Sequence, residues 1–375
     1  MNTDLSKVKT LVVKIGTSLL TGPAGFDGRV LEEIVKGLCP LKRERGLNIV
    51  VVSSGAVGCG MTALGLSERP KLLPLKQATA AVGQANLMHY YETLFRTYGE
   101  GLRTAQVLLS ASDLDNRETY LNIRNTLQTL FALDSIIPIV NENDSVAVEE
   151  LRFGDNDTLA ARVAAKIGAD MLIILSNVEG LCDADPRRNP DACLIGEVRE
   201  ITPELEALAG DTGEQVSVGG MVTKLAAARI ASAAQVRTVI ANGRRPCVIR
   251  EILDGQSVGT TFFSSKEALS HRKRWIAFGR ASRGVLCIDD GAKKALTLDG
   301  RSLLAAGITA VEGRFHMGDS VRITDREYHD IARGLVNYSS EDLDRIKGRK
   351  SGDIEQILGR KDFDEVVHRN NMVLL

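Results

Sequence analysis

The six cysteines (Cys39, Cys59, Cys182, Cys193, Cys247, Cys287) are scattered, with no C-x-x-C pair, so neither a thiolate zinc site nor a redox dithiol is expected. They read as reduced structural thiols; Cys59, in a glycine-rich loop, is a small core residue or, alternatively, a reactive thiol. No apolar run approaches the ~20 residues of a membrane span, and Met1–Ser6 has neither a basic nor an apolar leader segment, so a cytoplasmic protein is expected. Net charge is also missing: the formal value of -1 gives no global attraction to nucleic acid or to an acidic membrane. Any anion site must therefore be local, and the partner small. The chain has no G-x-x-x-x-G-K-[ST] loop and no strand-borne G-x-G-x-x-G, so a nucleotide site has to be built another way. The five histidines (His89, His271, His316, His329, His368) lie outside every polar loop singled out below, which argues against a histidine general base.

With 375 residues, 44% hydrophobic and 25% charged, the chain is long enough for two domains with a sizeable core. Apolar runs at Thr10–Ile15, Asn48–Ser53, Ile136–Val140, Met171–Leu175 and Thr238–Ala241 read as parallel strands buried on both faces. Helical periodicity separates them, over Arg29–Arg45, Lys76–Tyr98, Arg117–Leu133, Thr158–Ile167 and Met221–Ala234. This alternation predicts a three-layer α/β/α sandwich with a mainly parallel sheet. The pattern changes at 264–274, a polar and basic linker that closes a first domain over 1–263. From 275 to 375, short alternating segments at Val285–Asp289, Ala310–Val311, Ser320–Ile323 and Ile331–Val336 predict a small β-rich domain.

Polar residues follow several strands: Gly16-Thr17-Ser18, Ser54-Gly55, Asn141-Glu142-Asn143-Asp144 and Ser176-Asn177. Ligands of open α/β sheets bind beyond the carboxyl ends of the strands, so one crevice can collect all four. Lys14 ends an apolar strand and Gly16 follows it, a cation and a backbone free of Cβ for an approaching phosphate. A second phosphate candidate is Gly219-Gly220-Met221-Val222-Thr223-Lys224, paired glycines leading into a helix. Lys224 there opposes the helix macrodipole, a cost that a purely structural residue has no reason to bear. Phe153-Gly154-Asp155-Asn156-Asp157 carries more polar groups than capping needs, and Asp157 is assigned as a carboxylate between the two lysines. Asn141-Glu142-Asn143-Asp144 offers amides and a carboxylate to a zwitterionic amino acid. A carboxylate acceptor, with a pKa near ~4.3, is ionised at neutral pH and needs no base.

These residues together resemble the amino-acid kinase family, in the branch that acts on glutamate. The pieces that carry the resemblance, in order, are Val13–Ser18, Ser53-Ser54-Gly55-Ala56, Asn141–Asp144, Gly154–Asp157, Gly180-Leu181 with Asp185-Pro186-Arg187, and Gly219–Lys224. The remainder, through Gly318-Asp319-Ser320-Val321, is similar to a PUA domain. The resemblance implies ATP-dependent phosphorylation, with Mg²⁺, of the γ-carboxylate of L-glutamate to γ-glutamyl phosphate, the first step of proline biosynthesis. It implies that Lys14, Lys224 and Asp157 are catalytic and that Ser54, Asp144 and Asn156 hold glutamate. ATP would meet Lys14, Ser176, Asn177, Val218, Gly219, Gly220, Met221, Val222, Thr223 and Lys224, with no metal ligand assigned in the chain.

Two departures from the family pattern fall in the nucleotide segments: Ser176-Asn177 in place of Thr-Asp and Ser217-Val218 in place of Gly-Thr. Other members phosphorylate aspartate, N-acetylglutamate, carbamate or UMP, and the Asn141–Asp144 loop with the appended domain selects glutamate. Feedback inhibition by proline, a homodimer or homotetramer, and hand-over to glutamate-5-semialdehyde dehydrogenase are further implications. RNA binding by the PUA-like region is the reading from a different class. Nineteen Lys and Arg against sixteen Asp and Glu in Arg272–Leu375, a balance of +3, do not indicate it.

Overall fold

The computed structural model describes residues 5–22, 25–110, 113–114, 117–146, 156–186, 189, 191–210, 220–263, 282–361 and 363–375. They fall into two units, Met1–Ala268 and Leu269–Leu375. The first contains β1 (Thr10–Ile15), the hairpin β2 (Thr21–Gly22) and β3 (Gly25–Phe26), β4 (Asn48–Val52), β5 (Arg103–Leu109), β6 (Ile136–Glu142), β7 (Met171–Ser176), β8 (Glu197–Val198), β9 (Arg237–Asn242) and β10 (Thr260–Phe262). The large sheet has the order β5-β6-β4-β1-β7-β9-β10-β8, parallel from β5 to β9, with β10 antiparallel to β9. The mainly parallel sheet expected from the apolar runs is therefore present. The edge strand β5 escapes the reading of apolar runs, because its Arg-Thr-Ala-Gln start leaves Arg103 and Gln106 exposed. Strand β6 runs two residues past its expected end, since β5 pairs alongside it as far as Leu109 opposite Glu142. Asn141 and Glu142 thus belong to a strand rather than to a loop.

The period of two along these strands sorts side chains between two helical layers. One face places Leu11, Val13, Ile15, Ile49, Val51, Ile173 and Val239 in a single cluster. That cluster includes residues of α2 (Arg29–Arg45), α3 (Ala56–Leu64), α4 (Leu73–Tyr98) and α9 (Val248–Leu253). The alternate residues Val12, Lys14, Val50, Val52, Leu172 and Ile174 are buried too. Their side of the sheet is covered by α6 (Asn156–Ile167) and α8 (Met221–Ala233), which pack on each other and on β1, β7 and β9. Lys14 therefore lies beneath the helices that carry Asp157 and Lys224. Between these elements run α1 (Thr17–Leu20), α5 (Arg117–Ala132) and α7 (Pro203–Gly210). Helix α4 starts three residues before its expected Lys76, with Pro74 in its first turn, where a missing N–H costs nothing.

The second unit has its own five-stranded sheet, β12-β11-β13-β14-β15, from β11 (Gly284–Ile288), β12 (Ile308–Gly313), β13 (Ser320–Thr324), β14 (Asp330–Leu335) and β15 (Met372–Leu374). Leu286, Ile288, Val321, Ile323, Ala332 and Val367 form its core together with residues of α11 (Ser340–Ile346) and α12 (Ile354–Leu358). The helix α10 (Asp290–Thr297) is capped by Asp289, whose carboxylate accepts from Ala292 N–H. Lys293 beside Asp325, at 2.9 Å, holds that carboxyl well below the usual carboxylate range. The expected linker 264–274 and the start of the β-rich region at 275 lie outside the described residues.

Glycine matters most where α3 crosses α4. A Cβ on Gly60 would sit 1.8 Å from the Thr79 carbonyl oxygen, and one on Gly83 would sit 1.8 Å from that of Ala56. Two helix backbones therefore touch at a seam that Ala cannot enter without pushing them apart. Gly83→Ala is expected to lower stability by about 1–3 kcal/mol. The midpoint of urea unfolding checks this, with Gly37→Ala, whose added Cβ meets nothing within 4 Å, as the control; an unshifted midpoint for Gly83→Ala would show that the seam tolerates separation.

Candidate active site

Lys14 emerges near the carboxyl end of β1 and is only 3% exposed. Its Nζ lies 2.5 Å from Oδ1 of Asp157, a residue of the first turn of α6 that is wholly buried. The other carboxylate oxygen, Oδ2, lies 3.2 Å from Nζ of Lys224, on the first turn of α8 and 3% exposed. One carboxylate thus holds two ammonium groups, one on each oxygen. Its own position is favourable, because a negative charge in the first turn of α6 meets the positive end of the helix dipole. Lys224 sits against the dipole of α8, and the contact with Asp157, with the Gly220 carbonyl at 3.4 Å, offsets that cost. Thr223 Oγ1 is 3.0 Å from Asp157 Oδ2 and 2.8 Å from the Gly220 carbonyl oxygen, which fixes the start of α8.

Burying three charges is expensive, and apolar residues of similar volume would serve a structural role at lower cost. What the arrangement achieves is two cations fixed at one place, beside the amino end of α8, where N–H groups have no helical partners. Gly16 adds to this. Its φ of -71° is open to any residue, but a Cβ would lie 3.0 Å from the Leu175 carbonyl oxygen and 3.8 Å from Lys14 Nζ. Its N–H donates to the Leu175 carbonyl at 3.0 Å. Glycine is needed here for close approach to β7, more than for an approaching anion.

A second polar group lies next to the first along the chain. Asn156 Nδ2 reaches the Ser53 carbonyl at 2.6 Å, Asn141 Oδ1 at 2.9 Å and Ser54 Oγ at 3.1 Å. Asn141 Nδ2 donates to Gln84 Oε1 at 2.8 Å. Ser53 is fixed in turn by Tyr91 OH at 2.8 Å, and burial pushes that phenol well above its usual range. Beside this network is a cleft of about 260 Å³ lined by residues that include Ala56, Gln84, Glu142, Asn143, Asp144 and Ser145. Asp144 therefore shares this cleft with Gln84, and in the Asn141–Asp144 segment the first two residues are strand and the last is a turn residue.

Of the expected site residues, Lys14, Asp157, Lys224, Thr223 and Gly220 come together, and so do Ser54 and Asn156. Ser176 ends β7 buried beside Gly16, with its Oγ 3.3 Å from Oδ1 of the exposed Asn177. Met221 and Val222 open α8, Val222 being 47% exposed. Val218 and Gly219 lie outside the described residues, as do Phe153, Gly154 and Asp155. The helix expected from Thr158 begins at Asn156, so Asn156 and Asp157 are first-turn residues rather than loop residues. Cys59 is not a loop residue either: it is buried within α3, and burial pushes its thiol up to about 12, which leaves it inert. The sequence reading missed Gln84, because an amide inside a long helix gives no local signal of what it touches.

Residues 9–242 match the amino acid kinase family and residues 284–358 match the PUA domain. The glutamate 5-kinase of Nostoc punctiforme is 50% identical over 98% of this chain and 100% of its own length. That of Geobacter sulfurreducens is 46% identical over 99% of each. Among solved structures, a carbamate kinase from Giardia lamblia bound to AMP-PNP covers 69% of this chain and 100% of its own, with 18% identity and a TM-score of 0.48.

Because both lysines share Asp157, Asp157→Asn is expected to destabilise the fold by about 3–5 kcal/mol. Lys224→Met, which leaves the shorter Lys14 pair in place, should cost much less. Urea unfolding of the two variants tests the difference; equal losses would mean that Asp157 is not the common anchor.

Proposed function

The chain belongs to the amino acid kinase family, and from that premise we propose that it transfers the γ-phosphoryl group of ATP to the γ-carboxylate of L-glutamate. The products are γ-glutamyl phosphate and ADP, in the first step of proline biosynthesis. A carboxylate oxygen of glutamate forms the new bond to phosphorus while the bond to the β-phosphate oxygen breaks. No proton moves, because the acceptor carboxyl is already ionised at neutral pH. That suits a site whose polar groups, among the described residues, include two buried lysines and no histidine. The observation that carries the reading is the pair of ammonium groups held by Asp157, since phosphoryl transfer needs positioning and neutralisation of charge more than covalent chemistry.

Lys14 and Lys224 stabilise the charge that builds on the transferring phosphoryl group, and Asp157 sets where their ammonium heads stand. The amino end of α8, from Gly220 to Thr223, receives phosphate oxygens, with Val218 and Gly219 preceding it. Ser176 and Asn177 border the nucleotide. Ser54, Asp144 and Asn156 hold glutamate. Magnesium enters with ATP as the MgATP substrate. The catalytic domain is assigned to 1–263, the linker to 264–274 and the PUA-like domain to 275–375.

No helix among the described residues is long and apolar enough to cross a membrane, and we place the enzyme in the cytoplasm. A reactive acyl phosphate calls for prompt consumption, by glutamate-5-semialdehyde dehydrogenase. Proline acts as feedback inhibitor at or near the glutamate site, and the enzyme works as a homodimer or homotetramer, which its mass in solution tests.

The test is ATP-dependent hydroxamate formation from L-glutamate with Mg²⁺ and hydroxylamine, with aspartate and N-acetylglutamate alongside. Glutamate-selective product is expected, abolished in Lys14→Ala and suppressed by proline at low glutamate. Lys224→Ala should lower kcat by about 100-fold or more while KM for glutamate changes little, the mark of a contact made chiefly in the transition state. Product from none of the three acids would overturn the assignment. Wild-type turnover in a folded Lys224→Ala would remove that lysine from the mechanism.

A further inference from the structure

We propose that Gln84 is a positioning residue for the amino-acid substrate, acting through Asn141 to fix the direction in which Asn156 presents its amide. The inference rests on the glutamate reading above and names how the α-ammonium group is recognised.

Two backbone groups set the polarity of the three amides. The N–H of Glu142 donates to Asn141 Oδ1 at 2.9 Å, so this oxygen must be the acceptor and Nδ2 the donor. Nδ2 then donates to Gln84 Oε1 at 2.8 Å. At the other side, the Ser53 carbonyl can only accept, so the group 2.6 Å from it is Asn156 Nδ2, which also faces Asn141 Oδ1 at 2.9 Å. Turning Asn141 over would set its NH₂ against the Glu142 N–H and the Asn156 NH₂, donor against donor. Gln84 Oε1 is the acceptor that holds Asn141 in the one orientation that works.

The result is a row of amides with a fixed direction. Asn156 Oδ1 is buried and meets no donor among the described residues, so it stands as an acceptor. At the far end, Gln84 is 8% exposed on the wall of the cleft that holds Asp144, and its Nε2 meets no acceptor among the described residues. A buried polar atom without a partner costs about 1–3 kcal/mol. An α-ammonium group reaching Asn156 Oδ1 relieves that cost, whereas an acid without an amino group leaves it unpaid. The row therefore discriminates between glutamate and its deamino analogue, glutarate.

The experiment compares hydroxamate formation from L-glutamate and from glutarate by the full-length enzyme. Gln84→Met keeps the volume and removes the acceptor. It should raise KM for L-glutamate about tenfold, the order of one hydrogen bond, with KM for ATP and kcat within about twofold. Turnover of glutarate should not change, so the ratio of kcat/KM for the two acids falls about tenfold. In an Asn141→Leu background, Gln84→Met should add nothing further, because both changes release the same amide. Gln84→Glu retains an acceptor for Asn141 and should keep the wild-type ratio even where the added charge weakens both acids together. A wild-type ratio in Gln84→Met, an equal loss for both acids, additive effects in the double variant, or loss of the ratio in Gln84→Glu would each overturn the proposal. A wild-type enzyme that uses neither acid would overturn the glutamate reading, and this inference with it.

Discussion

The buried cation pair of this protein depends on one carboxylate. Asp157 gives an oxygen to each of two lysines, one from a central strand and one from the first turn of a helix. Like charges brought together in a medium of low polarity repel strongly. Without a fixed anion between them, Lys14 and Lys224 would move apart. The carboxylate reconciles the need for concentrated positive charge with the cost of burying it. It also ties β1, α6 and α8 to one another, so that the cations cannot drift without disturbing the packing of the layer.

The rest of the architecture brings two kinds of site to the same end of the sheet. Asn156 and Asp157 are neighbours in the first turn of α6, yet one belongs to the amide row and the other to the cations. The short step between them sets the distance between the amide row and the pair of cations. The seam of Gly60 and Gly83 draws α3 against α4, and α4 brings Gln84 up to Asn141. Small residues in one place therefore govern polar geometry in another.

Much of this was legible in the sequence. Strands such as Thr10–Ile15 and Met171–Leu175 are apolar on both faces, and that pattern has few readings besides a buried parallel strand. Lys14 and Lys224 were identifiable because a cation at the end of an apolar strand or in the first turn of a helix carries a cost that calls for a reason, and Asp157 because its stretch holds more polar groups than capping needs. The edge strand β5 was not legible, since exposed Arg103 and Gln106 hide the period of a strand. Gln84 was invisible for another reason: its partners are brought to it only by the crossing of α3 and α4 and the pairing of β5 with β6. Helix starts moved by a few residues, at Leu73 and at Asn156, where capping chemistry admits more than one boundary.

The place of Lys14 in the sheet has a kinetic side. Strand β1 is paired on both edges, with Lys14 opposite Val52 of β4 and opposite Ile174 of β7. A slip of one residue against either neighbour would turn Lys14 toward the apolar cluster on the other face and expel it from the site. The strand that supplies the cation is thus among the last that can be misaligned without penalty. Refolding chains regain chemistry only when pairings far apart in sequence are in register, and the return of activity after dilution from denaturant reports the closing of the sheet's centre.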